Sequence, residues 1–174
     1  MRCVAGLDLS LRGAAAVVLS EDWGLDFDAV PSIRVGEALP ADASDADQLG
    51  RLVRIKLELL DFLAEQRATH VYVEQYAFSR GASRAHALGE LGGCVKLGCL
   101  LDLGLPVRSV TASAARKVLL GKVPRAGAKL ATARALASMG APAAWSGDEL
   151  DAFAVANFGL VDLGCRSGVL MLAA

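Results

Sequence analysis

Four carboxylates in this 174-residue chain occupy positions where an acid needs a physical reason. Asp8 lies inside an apolar run from Cys3 to Ser10, and Glu74 ends a second one, Val71-Tyr-Val. Asp148 and Asp151 sit three apart at the head of an apolar helical run, so they project from one helix face about one turn apart. A carboxylate on a core strand is costly to desolvate unless a metal, an Arg or N–H donors hold it. Taken singly, each has a plain alternative: Asp8 starts a turn, Glu74 pairs with an Arg, Asp148 serves a helix dipole. Taken together they repel one another unless cations lie between them. Hard oxygen donors with no Cys or His among them suit Mg²⁺ or Mn²⁺. Two such ions about 4 Å apart activate a water and stabilise the leaving oxygen in phosphodiester hydrolysis.

The elements that must position these acids follow from periodicity. Cys3 to Ser10 and Gly13 to Glu21 read as two strands of a hairpin, with Arg12 and Gly13 in its turn. A weaker third strand falls within Leu25 to Val35, interrupted by Pro31. The acidic stretch from Gly36 to Asp47 is a surface loop, with Asp45 or Asp47 as a cap for the next helix. Apolar residues from Leu49 to Leu63 recur at helical spacing in a helix ending near Arg67. His70 to Gln75 is a short strand, followed by a polar loop from Phe78 to Arg84.

A helix from about Ala85 to Leu103 holds Gly89, Gly92, Gly93 and Gly98 in its interior. Each costs up to ~1 kcal/mol against Ala, so the glycines imply close approach of another element. If that element is a second copy of the chain, Leu88, Leu91, Val95 and Leu100 supply its apolar contact. Packing of the helix on its own sheet is the competing reading. Pro106 to Val110 is strand-like, and Thr111 caps a helix running to about Leu120. The loop from Gly121 to Gly127 is basic, and Lys129 to Met139 is helical again. Ser146-Gly-Asp-Glu149 is a capping box ahead of a helix from Leu150 to about Leu163, which gives Glu149 a role of its own. The order β-β-β-α-β-α-β-α-α-α requires one mixed sheet with helices on its faces.

Composition limits the alternatives. A hydrophobic fraction of 54% with 18 glycines suits a compact α/β protein. No apolar run reaches the ~18 residues of a membrane span. Without a signal-peptide pattern at the N-terminus, a cytoplasmic protein with no membrane contact is expected. Four cysteines without metal spacing read as reduced structural thiols. Formal net charge is −1, but its distribution is uneven. From Ser79 to Arg134 ten basic residues face two acids, while the remainder holds eight basic and seventeen acidic residues. Such asymmetry marks either a polyanion-binding face or a merely solvated one.

The stretches Gly6-Leu-Asp8-Leu-Ser10, Val71-Tyr-Val-Glu74-Gln75 and Gly147-Asp148-Glu-Leu-Asp151-Ala-Phe-Ala-Val-Ala156 resemble the RuvC family of Holliday junction resolvases, within the RNase H-like superfamily. Ala115-Arg-Lys117-Val-Leu-Leu-Gly121 and Ala128-Lys129 are similar to that family's basic segment. The resemblance runs nearly end to end. It implies one RNase H-like nuclease domain over 1–174, built on a mixed five-stranded sheet with helices on both faces. It also implies two Mg²⁺ ions, replaceable by Mn²⁺, on Asp8, Glu74, Asp148 and Asp151, with Lys129 supporting the transition state. A homodimer acting on branched DNA, the four-way junction, would nick two strands symmetrically. The implied DNA contacts are Arg80, Arg84, Lys117, Lys122, Arg125 and Lys129. Tyr76 and Phe78 flank the position, here Ala77, where the family places a base-stacking aromatic. The sequence identifies no recombination helicase partner and no preferred cleavage site.

The nearest rival keeps the fold and changes the substrate to RNA–DNA hybrids, RNA or other branched DNA. A sugar- or acetate-kinase-type ATPase shares the G-x-D-x-[GS] strand, but needs two large lobes. A non-catalytic nucleic-acid-binding protein would have no reason to hold all four acids.

Overall fold

A computed structural model of the chain describes residues 1–23, 26–75 and 82–166, with 82–84 as helix backbone alone. Five strands form one mixed sheet: β1 (Cys3–Asp8), β2 (Ala14–Ser20), β3 (Ser32–Val35), β4 (His70–Glu74) and β5 (Val107–Val110), in the order β3-β2-β1-β4-β5. β1 runs antiparallel to β2 and parallel to β4, and β4 runs parallel to β5. The helices are α1 (Asp45–Glu65), α2 (Ala82–Leu101), α3 (Ala112–Leu120), α4 (Ala128–Ser138) and α5 (Gly147–Asp162). The expected element order is reproduced, with a single 3₁₀ turn (Phe27–Ala29) added before β3. Among the described residues no helix is long and apolar enough to cross a membrane.

Strand alternation divides the core in two. Ala5, Leu7, Val71 and Val73 point to one face and pack with Leu59 and Leu63 of α1 and Leu91 and Val95 of α2. Val4 and Tyr72 point to the other and pack with Phe153, Ala156 and Leu160 of α5, beside Ala115 and Leu119 of α3 and Leu136 of α4. Asp8 and Glu74 continue the second rows, so both carboxylates emerge beneath α5.

Two glycines let α5 lie flat on the sheet. A Cβ at Gly6 would lie 2.1 Å from the Ala152 carbonyl oxygen, and one at Gly159 would lie 2.5 Å from Val4 Cγ1. A side chain at either position would have to lift the helix. The N-terminus of α5 is fixed as expected: Ser146 Oγ accepts from the Glu149 amide, and Glu149 returns a bond to the Ser146 amide. Ser32 Oγ also donates to Glu149 Oε1 at 3.0 Å, which ties the edge strand β3 to that first turn. Thr111 caps α3 as expected. For α1 the cap is Ser44, and Asp47 closes the capping box from N3.

The glycines of α2 behave differently from one another. A Cβ at Gly98 would meet Lys56 Cε at 2.5 Å and Leu60 Cδ1 at 2.7 Å, so this one admits α1. Gly89 and Gly93 have nothing within 4 Å of an added Cβ. Leu91 and Val95 do not reach outward for a partner: with Cys99 they form the i, i+4, i+8 stripe facing the sheet.

Candidate active site

Parallel pairing of β1 and β4 in the register Leu7 opposite Val73 brings the two strand-end acids side by side. α5 supplies Asp151, only 3% exposed, from its second turn. Asp8, Glu74 and Asp151 each offer a carboxylate oxygen within 4.8 Å of the others. Burial pushes the Asp8 carboxyl up to about 6, with the charges of Asp151 and Asp148 adding to it. Glu74 rises to about 7, again through burial first and then through Asp8 and Asp151. Burial and the neighbouring charges thus favour a proton on Asp8 and Glu74, and a cation placed among the acids relieves the repulsion.

Two cations of the chain already do so in part. Arg116 of α3 donates to Asp151 Oδ1 from Nη2 at 2.9 Å and from Nε at 3.3 Å. Lys129, in the first turn of α4, places Nζ 2.9 Å from Asp151 Oδ2. Burial lowers the pKa of this ammonium, but its hydrogen bond to Asp151 and the charges of Asp151, Asp8 and Asp148 outweigh that and raise it.

Asp148 stands apart from the other three. Its carboxylate lies outside their cluster, with Lys129 Nζ 3.9 Å from Oδ1 and Arg34 Nε 3.9 Å from Oδ2. Arg34 reaches it along a row of the sheet, because Asp8 pairs with Ala15 and Ala15 with Arg34. The guanidinium crosses Gly13, where a Cβ would lie 2.4 Å from Nη2.

Lys117, Lys122 and Arg125 are exposed on α3 and the loop joining it to α4, and none has an acidic partner among the described residues. Tyr76, Phe78 and Arg80 lie outside the described residues, as does the side chain of Arg84. In the sequence Arg116 is one member of the basic block, and nothing there singles out Arg34. The available signal for Arg116 was its place beside Ala115 and Leu119, the buried positions of α3.

No protein-family model matches the chain, and no curated protein matches it in sequence. Solved structures do match. Thermus thermophilus RuvC in complex with Holliday junction substrate superposes with a TM-score of 0.68 at 20% identity, over 97% of this chain and 99% of that one. A second structure of RuvC from the same organism gives 0.65 at 22% identity, over 95% and 99%. The yeast mitochondrial Holliday junction resolvase Ydc2 gives 0.53 at 14% identity, over 89% and 76%. The chain has the RuvC-type, RNase H-like fold.

Proposed function

We propose that this chain is a single-domain, metal-dependent endonuclease that resolves four-way DNA junctions by paired symmetric nicks. The observation that carries the reading is the convergence of Asp8, Glu74 and Asp151 within 4.8 Å at one edge of a RuvC-type sheet. An all-carboxylate donor set of this kind fits hard divalent ions, with two Mg²⁺ as the natural occupants and Mn²⁺ as a substitute. Asp8, Glu74 and Asp151 would hold them, with Asp148 as the outer ligand. Such ions supply an activated water and neutralise charge on the leaving oxygen.

The remaining roles belong to the protein. Arg116 fixes the rotamer of Asp151 through Oδ1. Lys129 stays protonated and holds a positive charge against the same carboxylate, where a scissile phosphate would meet it. Lys117, Lys122 and Arg125 extend that charge across the surface as phosphate contacts, which set register without reading sequence. Arg80, Arg84, Tyr76 and Phe78 join them on the strength of the family resemblance.

Symmetric cutting calls for two sites related by a two-fold axis, hence a homodimer with one self-complementary patch. The face of α1 and α2 turned away from the sheet suits it. Leu49, Val53 and Leu57 of α1 and Leu97, Leu100 and Leu101 of α2 are each at least half exposed. The open Gly89 and Gly93 leave room for a second backbone.

The test is incubation of the purified protein with labelled four-way junction, flap, duplex and RNA–DNA hybrid, with Mg²⁺ or with EDTA. Paired nicks confined to the junction and abolished by EDTA are expected. Preferential cutting of the hybrid would replace this reading with that of a ribonuclease.

A further inference from the structure

A cleft of about 610 Å³ opens at the same edge of the sheet as the carboxylates, but on the α1 and α2 side. The turn after β1, the loop before α1, the first turns of α1 and the start of α2 enclose it. Its walls are aliphatic, with Leu39 from the loop and Leu88 from α2 among them. Among the described residues its polar groups are Ser10, Arg12, Gln48 and Arg51, and no acid lines it.

Arg51 carries unused donor capacity. Its Nε is buried without a partner, and Nη1 reaches the Glu37 carbonyl only at 3.5 Å. A buried donor left unpaired costs on the order of 1–3 kcal/mol, and the same side chain also borders a neighbouring groove that holds Glu37 and Glu58. Arg12 is exposed and has no acidic partner among the described residues. Ser10 Oγ already accepts from the amides of Arg12 and Gly13, so its hydroxyl hydrogen is left to donate. The charged groups of the cleft, Arg12 and Arg51, are thus both cations, while the Gln48 amide can both donate and accept.

Two guanidiniums and one amide beside aliphatic walls have the chemistry of a nucleotide site. A volume of ~300–1,000 Å³ is the ordinary range for one small ligand. Ser10 follows Asp8 by two residues, so their Cα atoms are no more than about 7 Å apart. We propose that the cleft takes one unstacked nucleotide of the branched substrate, next to the strand held at the carboxylates. The phosphate lies on Arg12 and Arg51, the base lies between Leu39 and Leu88, and Gln48 meets the base edge. The proposal rests on the nuclease reading above and adds a second, metal-independent contact to it.

The experiment uses the wild-type chain in EDTA, where junction is bound but not cut. 4-Thiothymidine is placed singly at each of the three nucleotides either side of the exchange point, irradiated, and the crosslinked peptides are mapped. One position should crosslink to Leu39–Arg51 or to the segment around Leu88. Gln48→Ala and Arg51→Gln should each lower that yield about tenfold, the scale of one base-edge or charged contact. Their melting temperatures should not fall, and their affinity for unbranched duplex should stay near the wild-type value. If the junction is bound and cut while all crosslinks map to the loop between α3 and α4, the cleft proposal is overturned and the nuclease reading stands. If no junction is bound or cut, both fall. Saturable binding of free dTMP at the cleft, with strand crosslinks unaffected by Arg51→Gln, would make this a small-molecule site and overturn the strand assignment.

Discussion

The two faces of the sheet at its carboxylate edge solve opposite problems. Beneath α5, Asp8, Glu74 and Asp151 gather beside Arg116 and Lys129, and two glycines let the helix lie close on the sheet. On the α1 and α2 side, Arg12 and Arg51 stand without acidic partners among the described residues, and leucines stand without cover. Under the proposed function the first face would take metal, and the second would take other macromolecules. A glycine or a charge therefore has to be judged by the face it occupies, since the same residue type does contrary work on each.

The largest effect expected from breaking this contrast is chemical. Asp8→Asn or Glu74→Gln should lower junction cleavage by about 10³-fold or more, over ~4 kcal/mol of barrier, while gel-shift affinity stays near wild type. Asp148→Asn should cost less than either, because its carboxylate lies outside the three-acid cluster. Equal losses from Asp148→Asn and Asp8→Asn would place Asp148 among the inner ligands.

One substitution can be made on both faces with opposite signs. Gly6→Ala drives a Cβ onto the Ala152 carbonyl and should destabilise by about 3 kcal/mol, the upper end of overpacking. Gly93→Ala meets nothing and should stabilise α2 by up to ~1 kcal/mol through helix propensity. Urea unfolding measures both. Matching losses would remove the distinction between the faces.

A pH series sharpens the electrostatic side. The Asp8 and Glu74 carboxyls stand near 6 and 7 when folded, above their ordinary 3.8 and 4.5. The folded state thus keeps protons that the unfolded chain has released. The stabilisation this supplies is full below about pH 4 and is lost as pH rises through 7. Divalent ions compete with those protons, so Mg²⁺ should raise the melting temperature by on the order of 5 °C more at pH 8 than at pH 5. A gain independent of pH would mean that the ions bind elsewhere.

The smallest effect belongs to the exposed charges. Lys122→Ala should weaken junction binding a few-fold and lower the salt slope by roughly one. A slope unchanged by Lys117→Ala, Lys122→Ala and Arg125→Ala together would route the DNA away from α3.

What could be read from the sequence was whatever neighbours in the chain decide. Thr111 and the Ser146–Glu149 capping box mark helix starts because cap and amide are three residues apart. Asp8 and Glu74 were visible because an acid at the end of an apolar strand breaks its pattern. Arg116 and Arg34 were not, since each meets its acid only through distant packing, α3 against α5 and β3 across β2. The α2 glycines signal a close approach, yet which of them makes it depends on where α1 lies. The cleft depends on the loop before α1, whose course no periodicity encodes.

The pressing of α5 onto β1 at Gly6 and Gly159 has a mechanical consequence. With strand backbone against the helix at Gly6, and the Val4 and Tyr72 side chains against it at Gly159, Asp151 has little slack relative to Asp8. The gap between them widens chiefly by lifting the helix. Filling that gap and keeping α5 seated are then one event. Amide hydrogen exchange along α5 should slow when Mg²⁺ is added, at the far end beside Gly159 as well as near Asp151.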